Sequence, residues 1–339
     1  MATIYDVAKI AHTSSATVSY VLNGRGKEKN ISEATQKRVL EAAERVNYHP
    51  NIAARQLKKS AEGEIRIAVF WLEFYFEQAL TAALKVVNDI SRIYPKEIDV
   101  SLHFFAPGNL KERWERFSPQ NYNGIILVGA AQKDVEYIAA QKQQVPILLL
   151  NRKQEGFPSV MIDHAAAGRL ACDLAYQAGE DSVCTIWEAL NNVGASLRLK
   201  AFSSRCEELG ITIKDQLTCP LSAEGGYEVT MGLIRKKDLK KVIYYNNESA
   251  AYGGVVALNE SGVKVGKDVY VLSASNGSRS FFRFSTPTIA AIDLKFQEVF
   301  ELGLRKLLAI ISHQDTESNV QILQPEFVYG ESFPVMPGL

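Results

Sequence analysis

The stretch VAKIAHTSSATVSYVLNG, Val7 to Gly24, sets two short apolar-periodic segments on either side of the polar run His12-Thr13-Ser14. Upstream, Ile4, Val7, Ala8 and Ala11 fall at i, i+3, i+4 and i+7, which predicts a helix ending near Ala11. Thr3 can cap it, with Asp6 reaching back in capping-box fashion. Ser14 caps a second helix whose Val18, Val21 and Leu22 form the buried stripe, ending near Asn23-Gly24. A third begins at Ser32, buries Val39, Ala43 and Val46, and stops before Tyr48-His49-Pro50. None of these helices is long enough to stand alone, so they must share one small core.

The face of the second helix opposite its stripe carries Ser15, Ala16, Ser19 and Tyr20. A helix that lies in a DNA major groove needs such short side chains, so that its backbone approaches the base edges and hydroxyls read them. An ordinary surface helix with a serine-rich start has the same pattern. The charge distribution bears on the choice: residues 1–60 hold ten Lys or Arg against five acids, the rest of the chain 28 against 33, and the whole sums to zero. A basic head on an acidic body suits a polyanionic partner. After Pro50, NIAARQLKK (51–59) has helical propensity but too little length to fold by itself. It reads either as a plain charged linker or as a hinge that orders on DNA, with Leu57 as a minor-groove wedge and Arg55, Lys58 and Lys59 near phosphates.

TIYDVAKIAHTSSATVSYVLNG, followed by ISEATQKRVLEAAERVNYHPNIAARQL, resembles the DNA-binding head of the lactose-repressor (LacI) family of bacterial transcription regulators, almost without a gap from Thr3 to Leu57. The resemblance implies that Ser15 and Ala16 open the recognition helix and choose bases, helped by Tyr20. Thr17, Ser19 and Asn23 would meet the DNA backbone, and Leu57 would pry open a central base step. Thr3, Ser14, Asn51, Ala54, Arg55 and Lys58 complete the expected DNA-binding set, with residues 1–60 as the DNA-binding domain and 51–59 as its hinge helix. His12 stands where the family often has glycine in the turn.

Past Gly63 the pattern alternates strand and helix. IRIAVFWL (65–72), EIDVSLHFF (97–105), GIILVG (124–129) and VPILLL (145–150) are β-rich runs, separated by helical stretches such as 78–93. SVCTIW (182–187), KVIYYN (241–246) and DVYVLSA (268–274) form a second series, with helices from Asp163 to Gly179, 195–209 and 249–258 between them. Continuous apolar strands imply parallel sheet covered on both faces. Two such α/β halves make a cleft, and ligands gather outside the carboxyl ends of the strands. The body is similar to the periplasmic-sugar-binding-protein-like core of the same family. The expected architecture is therefore an all-α helix-turn-helix head and an α/β two-lobed core of two doubly wound parallel sheets, spanning 61–339. In that core the chain crosses between lobes more than once, which places 64–161 and 292–322 in one half and 163–290 and 324–335 in the other.

GASLRLKAF (194–202) matches the family segment whose arginine holds the effector, making Arg198 the leading effector contact; a guanidinium forks onto vicinal hydroxyls or a carboxylate. Asn247 stands where the family has Asn-Asp, here Asn247-Glu248, and Ser275-Asn276 replaces a common aspartate. Phe74, Tyr75 and Trp187 are candidate stacking surfaces for a pyranose ring.

The chain has no GxxxxGK[ST] loop, GxSxG elbow or HExxH pair, so no catalysis and no cofactor are expected. Cys172, Cys184, Cys206 and Cys219 show no CxxC pairing and read as free, partly buried thiols, with no metal site. No run approaches the roughly 18 apolar residues of a membrane helix, and MATIYDVAKI lacks a secretory signal pattern, so no membrane and a cytoplasmic location are expected. The expected function is a homodimeric transcription regulator, in the manner of a repressor, that binds palindromic operator DNA and is switched by a small-molecule effector, a sugar. Helices near 78–93 and 249–258 are its expected dimer contacts, and no leucine heptad follows Gly330. The body alone would also suit a solute-binding receptor for transport. A carbohydrate enzyme with a fused DNA-binding head is the third reading.

Overall fold

The computed structural model describes residues 4–22, 26, 29–46, 64–73, 77–142, 144–188, 193–276, 282–314 and 319–334. The chain divides into two compact units, Met1–Glu64 and Ile65–Leu339.

In the first unit, α1 (Ile4–Ile10), α2 (Ser15–Leu22) and α3 (Glu33–Arg45) bury one another's apolar stripes. Val7, Ala8, Ala11, Val18, Val21, Val39, Ala42 and Ala43 form the core, with Leu22, Ile31 and Val46 packed against it. Three helices of 7, 8 and 13 residues hold their shape only through this shared core. Ser14 caps α2, its Oγ accepting from Thr17 N at 3.1 Å. Ser32 does the same for α3 through Thr35 N at 3.3 Å. The turn between α1 and α2 puts His12 in the left-handed region, φ 48°. That is why glycine suits the position: a side chain there carries a backbone cost.

The second unit contains two six-stranded sheets. The strands are β1 (Ile65–Leu72), β2 (Ile98–Phe105), β3 (Gly124–Val128), β4 (Ile147–Leu150), β5 (Ser159–Ile162), β6 (Ser182–Glu188), β7 (Thr212–Cys219), β8 (Val242–Tyr245), β9 (Tyr270–Ser275), β10 (Ala290–Asp293), β11 (Val320–Leu323) and β12 (Glu326–Val328). Spatial order is β11-β5-β4-β3-β1-β2 in one sheet and β12-β10-β9-β8-β6-β7 in the other. Among the described residues, only the β10–β12 pair is antiparallel. Central strands β3, β4 and β8 are buried at every position, as helices on both faces require.

The helices are α4 (Glu77–Ile93), α5 (Leu110–Glu115), α6 (Gln132–Ala139), α7 (His164–Gln177), α8 (Val193–Leu209), α9 (Ala223–Arg235), α10 (Glu248–Glu260) and α11 (Phe296–Ile311). After β10 in the second sheet the chain returns to the first, where α11 packs on α4, β3, β4 and β5. Phe296 meets Trp71 of β1 edge-on at 5.9 Å. β11 joins β5, and β12 then goes back to β10. No helix among the described residues is long and apolar enough to cross a membrane.

Strand β7 and helix α9 are two of the elements that the sequence pattern does not mark. β7 alternates exposed and half-buried residues, the pattern of an edge strand rather than a covered one. Helix α9 contains Gly225, Gly226 and Gly232, which lower its propensity. Tertiary packing explains them: a Cβ at Gly226 would lie 2.0 Å from Ala250 O, and one at Gly253 of α10 would lie 1.8 Å from Ala223 O. The two helices cross at glycine distance. Most of α10 is consequently buried within this chain, with Tyr252 and Val256 half-buried and Asn259 and Glu260 exposed.

Candidate functional site

Two places gather polar chemistry. On α2, Ala16 and Tyr20 are exposed and Ser15, Thr17 and Ser19 half-buried, while Val18 and Val21 face the core. The Lys29 ammonium lies 5.5 Å from the centre of the Tyr20 ring. This surface is short-chained and hydroxyl-rich, as a groove-reading helix needs to be. Thr17 Oγ1 and Ser14 Oγ are 2.8 Å apart, so Thr17 also belongs to the cap.

The second place is at the carboxyl ends of β6, β8 and β9. Arg198, on α8, is buried and held by two neutral groups: its Nε donates to Asn246 Oδ1 at 2.6 Å and its Nη1 lies 3.1 Å from His164 Nδ1. Asn246 Nδ2 in turn donates to Glu188 Oε2 at 2.6 Å. The result is a buried chain, Glu188–Asn246–Arg198–His164, in which an amide relays between a carboxylate and a guanidinium. Burial, then the Arg198 and Arg152 charges, push the His164 imidazole well below its ordinary range. It is therefore neutral, and its Nδ1 accepts from Arg198. Burial pushes the Glu188 carboxyl up, opposed by Arg198 and by the Asn246 hydrogen bond. Fixed in this way, the guanidinium is pre-organised toward whatever enters from the strand ends.

Beside it, Glu248 at the start of α10 accepts from Ser275 Oγ at 2.8 Å and from Asn276 N at 3.1 Å. The buried carboxylate at the end of β9 thus comes from the neighbouring helix. Asn247 caps α10, its Oδ1 accepting from Ala250 N at 3.1 Å, so its carbonyl is committed and only its amide NH2 is left for a ligand. Across the fold, Asn151 follows β4 and accepts from Ile162 N at 3.0 Å; Arg152 beside it donates to two main-chain carbonyls, Ala130 O and Asn151 O.

Residues 3–51 match the bacterial regulatory proteins of the lacI family, and residues 181–333 match a periplasmic binding protein-like domain. The chain carries a LacI-family helix-turn-helix domain and a periplasmic binding protein-like domain. It is 24% identical over 344 residues to a probable HTH-type transcriptional repressor, ExuR, of Bacillus subtilis, covering 98% of each chain. Its fold is similar to the lac repressor dimer bound to operator and the anti-inducer ONPF, with TM-score 0.69, 22% identity and 98% of each chain covered. It is also similar to a complex of the transcriptional regulator CelR with cellobiose, with TM-score 0.66, 18% identity, and 98% of this chain and 100% of that one covered.

Against this LacI-family architecture, the expected residues sort clearly. Arg198, Asn247, Ser275 and Asn276 come together at the strand ends of the second sheet. Trp187 does not present a stacking face: it is 4% exposed, belongs to the core and meets Tyr244 edge-on at 5.7 Å. The period-two pleat explains this, since β6 turns Trp187 into the layer beneath α7 and α8. Thr3, Asn23, Asn51, Ala54, Arg55, Leu57, Lys58, Phe74 and Tyr75 lie outside the described residues. His164, Glu188 and Asn246 were missed by sequence reasoning. A buried acid at a strand's carboxyl end, in SVCTIWE, was the available signal for Glu188; nothing local marks the other two.

Proposed function

We propose that this chain is a transcriptional repressor that binds palindromic operator DNA as a homodimer and is switched by a small-molecule effector, a sugar or a close polyol, in its two-lobed body. Residues 1–60 are the DNA-binding domain, with a hinge helix over 51–59. The lobes are about 64–161 with 296–323, and about 163–293 with 324–335, which moves the expected crossings at 290–292 and 322–324 by a few residues to follow the sheets. Ser15, Ala16 and Tyr20 read bases; Thr3, Ser14, Thr17, Ser19, Asn23, Asn51, Ala54, Arg55 and Lys58 position the head; Leu57 opens a base step from the minor groove. Arg198 is the principal effector contact, with Asn247, Ser275 and Asn276 around it and Phe74 and Tyr75 as the stacking surface. His164, Asn246 and Glu188 hold Arg198 in place, and Glu248 orders the end of β9.

The observation that carries this reading is the buried Arg198 held by neutral partners at the strand ends, in a chain that also bears a DNA-binding head. The relatives' names support repression, and the cellobiose complex of a similar protein supports a carbohydrate in the cleft. Leu84 on α4 is 49% exposed and Phe104 on edge strand β2 is 43% exposed, and these apolar surfaces suit a second copy of the chain. Effector binding reorients the lobes and shifts operator affinity by a coupling free energy of about 1–3 kcal/mol.

The test is a thermal-shift screen of the full chain against glucose, galactose, cellobiose, glucuronate, ribose 5-phosphate and hypoxanthine, followed by DNA binding with and without the compound that stabilises it. Leu57→Ala is expected to weaken DNA binding about tenfold or more while leaving the thermal shift intact, because the wedge belongs to the hinge. Equal damage to both functions would reject the hinge assignment.

A further inference from the structure

The four cysteines take no part in the function proposed above, yet two of them are placed for chemistry. Cys172 on α7 and Cys206 on α8 are both fully buried, and their sulfurs are 3.0 Å apart. A disulfide closes that separation to about 2.05 Å, a movement of roughly 1 Å.

The close approach is built into the helix pair and does not depend on the thiols alone. A Cβ at Gly168 would lie 2.2 Å from Arg198 O and 3.0 Å from Phe202 N, so only glycine lets α7 and α8 meet there. Gly168 and Cys172 are one turn apart on α7, as Phe202 and Cys206 are on α8, so the crossing that joins the first two rungs also aligns the thiols. At the same level Arg205 Nε donates to Asp173 Oδ1 at 2.7 Å, fixing the two helices from the outer side. Cys184 and Cys219 sit instead on β6 and β7, both as buried free thiols.

We propose that Cys172 and Cys206 are a disulfide-forming modification site that ties α7 to α8, with hydroperoxides as the oxidant class. One thiol, as thiolate, attacks a peroxide oxygen to give a sulfenic acid and water. The sulfur of the second then displaces the sulfenic oxygen as a second water. Overall, two thiols and one hydrogen peroxide give one disulfide and two waters, the sulfurs losing two electrons to the peroxide bond. The hydrogen bond with the neighbouring Cys206 thiol, then burial, push the Cys172 thiol well up. In a thiol-reducing compartment exchange returns the pair to thiols.

The link matters because of what the helices carry. His164 opens α7 and Arg198 sits in α8, 3.1 Å apart, so a covalent tie between the helices restrains the mutual shift of the two groups that form the strand-end cluster. The inference stands on helix packing and does not need the effector reading to be right.

The experiment uses the full native chain, incubated with hydrogen peroxide for minutes to hours, then unfolded and alkylated with iodoacetamide before peptide mapping. The expected result is a fall from four alkylatable thiols to two, with a peptide joining Cys172 to Cys206 that is two hydrogens lighter than its parts and is released by dithiothreitol. The oxidised chain should melt at a higher temperature than the reduced one, and Cys172→Ala should abolish both the linked peptide and that shift. Should the variant fold poorly, Cys206→Ala and the wild-type peptide map give the same decision. Four alkylatable thiols after prolonged treatment would overturn the proposal. So would sulfinic acid on separate cysteines, or a link that includes Cys184 or Cys219.

Discussion

The face of α2 and the strand-end cluster around Arg198 are both polar, but they are built in opposite ways. The helix face is a surface: Ala16 and Tyr20 are open to solvent, and the whole device comes from a run of eight residues, Ser15–Leu22, over a core of mostly small side chains. The cluster is an interior: Glu188, Asn246, Arg198 and His164 are all buried and arrive from β6, the end of β8, α8 and α7. A partner as large as a DNA duplex is met by a surface that needs only to be held in shape. The proposed small molecule would be met by groups whose orientation has been fixed beforehand through hydrogen bonds to one another.

The comparison predicts that removing one buried group costs more than weakening the head. Arg198→Ala leaves Glu188 buried without the guanidinium that opposes its desolvation, and should lower the body's stability by about 3 kcal/mol and abolish any ligand-induced thermal shift. Denaturant unfolding and the ligand screen check both parts; an unchanged ligand response would remove Arg198 from the site. Val18→Ala, in the core of the head, should cost about 2 kcal/mol in the melting of that unit alone. It should weaken DNA binding without altering ligand affinity. A loss of ligand binding in this variant would break the separation of the two regions.

The smallest expected effect is a pH dependence. The His164 imidazole is held neutral well below its ordinary range, so the unfolded chain takes up a proton near pH 6.5 that the folded chain does not. This term therefore lowers stability as pH falls, by about 1 kcal/mol at pH 5.5. His164→Asn retains an acceptor for Arg198 and removes the titration. The melting curves of variant and wild type should diverge between pH 7.5 and 5.5, with the wild type falling faster; parallel curves would show that His164 titrates normally.

The same contrast explains what could be read from the sequence. In the head, Val7, Val18, Val21 and Val39 mark their helices by local periodicity, and Ser14 and Ser32 mark the caps. The parallel strands announce themselves as continuous apolar runs such as ILLL and VIYY. Where pairing partners are distant, local signals fail. Helix α9 looks too glycine-rich until Ala250 is known to lie against Gly226. Asn246 is one residue from Asn247, which the resemblance singled out, yet it is Asn246 that reaches Arg198 while Asn247 spends its oxygen on a helix cap. Trp187 looked like a stacking surface because aromatic rings suit sugars, but register along β6 sends it into the core. A sequence records which groups a site has more readily than which way each one faces.

The central claim is that occupancy of the body's cleft controls how the head holds DNA. It is tested most directly by the affinity of the full chain for a duplex selected from a randomised pool, measured from 50 to 200 mM salt with and without the compound found in the thermal-shift screen. The account predicts a log affinity that falls steeply and linearly with log salt, as several phosphate contacts require, and a ligand-dependent displacement of that line in the wild type that Arg198→Ala lacks. A salt-independent affinity, or a displacement that survives in Arg198→Ala, would contradict it.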